Sequence, residues 1–315
     1  MFNFLWKRIL LFLSNMFILT LILFWMHIRL TGTDINRFLK EYILYTKSML
    51  TGNFGVSAVS GLQIKEELLN YLPSTLELMV LAILLSFTIG IATGITSGLN
   101  HHTFIDKITT SFARLGVSIP VFWFGQMLIV IFAVYYKIFP TYGSIGIFTD
   151  VQKITNYTFI DAFISQDPTI IKDMLMHLCL PVLTLSIVPT AEFTALARRA
   201  AYEVDQTEFV QMAECHGLNR LSIAAHHIFK NIVPLIAPHF SIIICNLVSA
   251  CILVEVVFEW PGIGLWLAQS VTNSDTAVIE TSAFCIASGL MLFNLIIDIF
   301  IWLMFPTERR LNISI

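Results

Sequence analysis

Long apolar runs separated by short polar segments set the rhythm of this chain. Runs at 9–26, 76–99, 115–136, 175–197, 235–258 and 283–305 each approach the roughly 20 apolar residues that carry a helix across a bilayer. Lys7 and Arg8 precede the first run, and His27 and Arg29 follow it. That run is too long for a cleaved leader and no small-residue cleavage site follows, so it reads as a retained anchor. The pattern predicts an all-α membrane protein with six transmembrane helices. Its parts are an N-terminal anchor helix (1–28), an outer polar segment (29–75), a five-helix core (76–305) and a short tail (306–315).

Two features shape the predicted spans. Gly90, Gly94 and Gly98 recur every fourth residue in the second, a small-residue stripe that permits close helix packing in lipid. Pro181 and Pro189 lie within the fourth, where they free backbone carbonyls and bend a helix if neighbours compensate. Six spans place both termini on one side. Lys7, Arg8, Lys107, Arg114, Arg198, Arg199, Arg220, Lys230, Arg309 and Arg310 then crowd the span ends of that side, whereas 259–282 on the other has no Lys or Arg. Cations near span ends mark the cytoplasmic face, so both termini are expected there.

The longest inner loop, 198–233, holds a polar island. Asp205 and Glu208 have the spacing of a reciprocal helix cap. Phe209, Met212, Ala213 and His216 fall at i, i+3, i+4 and i+7, a single apolar face on a short helix. Gly217 stands where a helix stops in a left-handed turn. A second helix is expected from Asn219 or Ser222, ending before Pro234.

Composition agrees with a lipid-solvated chain. Of 315 residues, 57% are hydrophobic and 12% charged, against about 25% charged in soluble domains. The net charge of −3 and the tether between two spans argue against a DNA-reading helix pair. The five cysteines show no CxxC or metal-ligand spacing, and the four in apolar runs read as small core residues. His101, His102, His216, His226 and His227 have no converging acidic or Cys partners, so no metal site is expected. Neither a Ser/His pair within spans nor an HExxH helix appears, and G-x-x-x-x-G-K-[ST] is absent, so the chain reads as non-enzymatic and unable to hydrolyse a nucleotide.

Residues 209–217, FVQMAECHG, with Pro234 beyond, resemble the coupling loop of ATP-binding-cassette importer permeases, with Gln211 and Met212 in place of its usual Glu-Ala. GNFGVS from Gly52, PSTLEL from Pro73, SIPVFW from Ser118, LPVLTL from Leu180 and FEWPGIG from Phe258 resemble, in order, further blocks of the dipeptide, oligopeptide and nickel subfamily. VPTAEF from Val188 is similar to its Sap branch. The resemblance implies a type I importer permease fold in the bacterial inner membrane, with Phe209, Gln211, Met212, Ala213, Glu214 and Gly217 coupling it to an ATPase. It also implies a second permease, two ATPase subunits that bind ATP and Mg, and a periplasmic substrate-binding protein. No cofactor is expected on this chain. Implied cargoes are peptides, including antimicrobial ones whose uptake gives resistance, with putrescine export and di- or oligopeptide or nickel import as alternatives.

Glu192, Asn294 and Asp298 are candidate pathway residues, because charge within a span normally faces protein or water. An acidic lining would favour cationic cargo. The aromatics of FPTYG from Phe139 and WPGIG from Trp260 are expected at the outer interface, as headgroup anchors or a docking surface.

Overall fold

A computed structural model describes residues 2–31, 38–146 and 154–304. The tail at 306–315, with Arg309 and Arg310, lies outside the described residues. Thirteen α-helices are described: α1 Phe2–Thr31, α2 Phe38–Thr51, α3 Ile64–Leu99, α4 Phe104–Ser118, α5 Val121–Leu128, α6 Thr158–Ile164, α7 Pro168–Asp205, α8 Glu208–Cys215, α9 Arg220–Ser222, α10 Phe229–Ile236, α11 Phe240–Val257, α12 Ile263–Thr272 and α13 Thr276–Met304. Wider π turns extend α5 through Ile129–Tyr135 and join α9 to α10 through Ile223–Ile228. Among the described residues, five helical stretches are long and apolar enough to cross a membrane; α4 and α5 with its extension, bent by 102°, make a sixth if counted as one span.

The third span differs from its expected course. The apolar run at 115–136 is broken, because Pro120 holds Ile119 in an extended conformation (φ −86°, ψ 127°) and ends α4. α5 and its extension leave the break at 102° to α4. The second and fourth spans are longer than expected. α3 begins at Ile64 and runs through Pro73, and α7 remains one helix through Pro181 and Pro189.

The α3–α7 pair forms the spine, and the glycine stripe explains it. A Cβ at Gly90, Gly94 or Gly98 would lie 2.6, 2.5 or 2.6 Å from Phe193 Cβ, Ala197 Cβ or the Arg198 carbonyl oxygen. Backbones this close add polar links: Thr93 and Thr194 share a hydroxyl contact of 3.0 Å, and Ser86 donates to the Ser186 carbonyl at 3.0 Å.

The end of α11 closes on Glu255. Its carboxylate accepts from the Gly264 and Leu265 amides at 2.6 and 3.2 Å, capping α12, and from Thr75 Oγ1 at 2.7 Å. Any side chain at Gly262 would strike that carboxylate at 2.3 Å, so the Gly in WPGIG makes room for the cap. Trp260 is fully buried and donates to the Ser74 carbonyl at 3.1 Å. It is a packed core residue rather than the interfacial anchor expected; the Gly143 amide donates to Phe258 at 2.9 Å, joining the two aromatic motifs.

α1 packs on α13 through two polar staples. Arg8 pairs with Asp298 at 3.0 Å near one end, and His27 with Glu280 at 3.0 Å near the other. Tyr45 of α2 donates to Glu280 at 3.3 Å, and burial, then that carboxylate's charge, pushes its phenol well above the ordinary tyrosine range.

Candidate functional site

The polar island folds as two helices meeting at Gly217. α7 runs to Asp205, so Asp205 ends one helix instead of opening the next, and α8 starts at Glu208. The Thr207 carbonyl accepts from the amides of Val210 and Gln211, giving α8 its first turn. At the far end, Gly217 has φ +80° and the Leu218 amide donates to the Ala213 carbonyl at 3.3 Å. That six-to-one bond is the Schellman stop, which needs a left-handed residue. His216 donates from Nδ1 to the Met212 carbonyl at 2.8 Å. Asn219 then caps α9, accepting from the Ser222 amide at 2.7 Å.

The chain does not stop before Pro234, as the sequence leads one to expect. Helix continues through it in α10, and a 3-10 turn at Ala237–His239 leads into α11. Proline is tolerated because the adjoining turns already depart from α geometry.

The apolar face of α8 divides in two. Val210 is 1% exposed and Ala213 is buried, both packed in a cluster with Ala200, Ala201 and Val204 of α7 and Ile223 and Ile228 beyond the turn. Phe209 (43% exposed), Met212 (62%) and Gln211 point away from it. The expected face of Phe209, Met212, Ala213 and His216 is therefore corrected: Ala213 seats the helix inward, while Phe209, Met212 and His216 lie outside. The Glu214 side chain lies outside the described residues, as do those of His226 and His227.

A second group ties the ends of the neighbouring spans together. Asp106 near the start of α4 accepts from Ser97 Oγ (2.7 Å), the His102 amide (2.9 Å) and Arg198 Nη2 (2.9 Å). Ser97 belongs to α3 and Arg198 to α7, so one carboxylate joins three helices. Just past the Gly217 turn, Arg220 donates to the Leu99 carbonyl at 3.1 Å. Arg198 and Arg220 were read from sequence only as span-end cations, and Ser97 and Asp106 were not singled out, although Thr103 three residues before Asp106 carries a cap spacing.

The candidate pathway residues separate. Glu192 accepts from Asn246 of α11 at 3.0 Å, where Asn246 is exposed on the flank of the bundle. Asn294 contacts Cys245 Sγ at 3.7 Å, and Asp298 is engaged by Arg8. Asn294 and Asp298 share a 240 Å³ cavity with Arg8, Leu11 and Asn15 between α1 and α13. Among the described residues, no group of His, Cys, Asp or Glu is placed to hold a metal ion.

Residues 90–310 match the family described as binding-protein-dependent transport system inner membrane component. The chain belongs to this family. It is thus an inner-membrane permease of a binding-protein-dependent ABC transport system, a transport component rather than an enzyme, and such a system implies ATPase and substrate-binding partners. The permease is 32% identical over 301 residues, 93% of each chain, to the peptide transport system permease protein SapB of Salmonella typhimurium. Over the same length it is 31% identical to the putrescine export system permease protein SapB of Escherichia coli K12. It is 28% identical over 271 residues, 86% of this chain and 81% of the relative, to the di/tripeptide transport system permease protein DppB of Pseudomonas aeruginosa.

Proposed function

We infer that α8 is the coupling helix of a Sap-type peptide permease and seats in a groove on a cytoplasmic ATPase subunit. One observation carries this reading: Phe209 and Met212 stand exposed on a helix whose opposite side, Val210 and Ala213, is locked into the permease core. Apolar anchors on a rigid support are what a docking lever needs, since little conformational freedom is lost on binding. Phe209 and Met212 fill the groove, with Gln211 and Glu214 at its rim. Ala213 and the Gly217 stop hold the helix in place. ATP and Mg bind on the ATPase, and the nucleotide favours one of two arrangements of the spans through α8. Both termini share the cytoplasmic side with α8. The complete assembly adds a second permease, two ATPase subunits and a periplasmic binding protein of the Sap type. In Phe209→Asp and Gly217→Pro forms, membrane insertion should persist and transport cease. ATP hydrolysis that still responds to substrate in both assembled variants would refute the coupling role.

The cargo is a peptide, and a cationic one is favoured by Glu192, a carboxylate beside exposed Asn246 within the membrane. Putrescine export is the second reading, supported by the Escherichia coli relative's name. Vesicles containing the complete complex, offered labelled cationic peptide, neutral dipeptide and putrescine side by side, separate the two. Accumulation of putrescine alone would overturn the peptide reading.

A further inference from the structure

The α4 helix has no role in the coupling reading beyond the Asp106 staple, yet its surface is sorted into three faces. One packs inward through Asp106 and Gly116, against Arg198 and Ala191 of α7. A second is apolar and open: Ile105, Ile108, Phe112 and Leu115 are all exposed, Phe112 by 71%. The third carries Lys107, Ser111, Arg114 and Ser118, at i, i+4, i+7 and i+11, all exposed. Asp106 is the sole acid of α4, and it is turned inward onto Arg198, so nothing on the helix neutralises the two outward cations.

The 102° bend at Pro120 lays this helix across the direction of α5. Its apolar side forms one wall of an open, largely apolar crevice of 630 Å³, shared with α5 and α7. The basic stripe faces away from that crevice. We propose that α4 is an interfacial helix seated in the leaflet at the α8 end of the protein. There acyl chains fill the crevice over Ile108, Phe112 and Leu115, and anionic headgroups bind Lys107 and Arg114. A helix with one apolar face and one basic face lies in the headgroup boundary for these two reasons together. Charge complementarity selects an anionic lipid over another protein chain: the stripe has two cations, two serines and no acid. The anionic cytoplasmic leaflet supplies the matching charge. The test below reads lipid contact directly and stands whether or not α8 couples to an ATPase.

The assembled complex is reconstituted in phosphatidylethanolamine vesicles with or without phosphatidylglycerol. A single nitroxide is placed at Phe112→Cys or Ile105→Cys, and another at Ser111→Cys, in a chain whose native cysteines are replaced. Oxygen, which concentrates in lipid, should relax the labels at 105 and 112, and an aqueous nickel chelate the label at 111. A label at 112 shielded from both reagents would mean that protein covers the arc, and one reached by the chelate would mean water does. Either result overturns the proposal. Each basic residue near an anionic surface is worth roughly fivefold in lipid affinity. Lys107→Gln/Arg114→Gln should therefore weaken retention of spin-labelled phosphatidylglycerol by roughly thirtyfold. Retention equal to that of the native complex would also overturn it.

Discussion

Gly94→Ala should destabilise this permease even though alanine is the better helix former. The added Cβ would sit 2.5 Å from Ala197 Cβ and 2.7 Å from the Thr194 carbonyl oxygen. Carbon atoms rest at about 3.5–4.0 Å, and neither neighbour is the free end of a flexible side chain. Relief requires α3 and α7 to part by roughly 1 Å, which also loosens the approaches at Gly90 and Gly98. Overpacking of this kind costs about 1–3 kcal/mol. Helix propensity opposes it by about 1 kcal/mol, leaving a net loss of up to about 2 kcal/mol. Gly289 in α13 is the control, because a Cβ there meets nothing within 4 Å. Gly289→Ala should therefore be neutral or stabilising by up to about 1 kcal/mol. Thermal unfolding in detergent, followed by tryptophan fluorescence, compares the two. If Gly94→Ala raises the melting temperature as much as Gly289→Ala does, the close-packed spine is not what holds these helices.

Three further perturbations address the coupling end and the pathway. Val210→Ala should cost about 1.5–2 kcal/mol from its two lost buried carbons, whereas Phe209→Gln should reduce co-purification of the ATPase more than it lowers the melting temperature. Arg198→Ala strands the buried Asp106 carboxylate and should cost about 3–5 kcal/mol, with Asp106→Ala/Arg198→Ala recovering part of the loss in the same melt. Asp298→Asn should leave the preference for cationic over neutral peptide intact in uptake competition, because its carboxylate is already engaged by Arg8, whereas Glu192→Gln should reduce it.

Hydropathy carried most of the spans and small-residue spacing the close-packing face of α3, since both follow from local composition; that α7 fills that face came only from the tertiary structure. Gly217 was legible for the same reason: the stop it makes involves only residues of its own turn. The bend at Pro120 was hidden because apolar residues continue across it, and hydropathy carries no direction. The inward side of α8 was ambiguous because Val210 and Ala213 have the same i, i+3 spacing as Phe209 and Met212. Periodicity identifies a stripe, and only tertiary packing decides which stripe is inside. Asp298 looked like a lone charge within a span because Arg8 comes from the other end of the chain.

The two staples between α1 and α13 have a consequence for the bilayer itself. Arg8 and His27 are separated along α1 by about 28 Å at 1.5 Å per residue, close to the roughly 30 Å of a hydrocarbon core. Polar groups fixed at both ends of one helix pair act as a ruler. A thicker membrane draws one staple into the acyl region or forces the pair upright, and a thinner one makes it tilt, each at a fraction of a kcal/mol per Å. The α1–α13 arm is therefore matched to one hydrocarbon thickness, and a tilt of α1 is shared by α13.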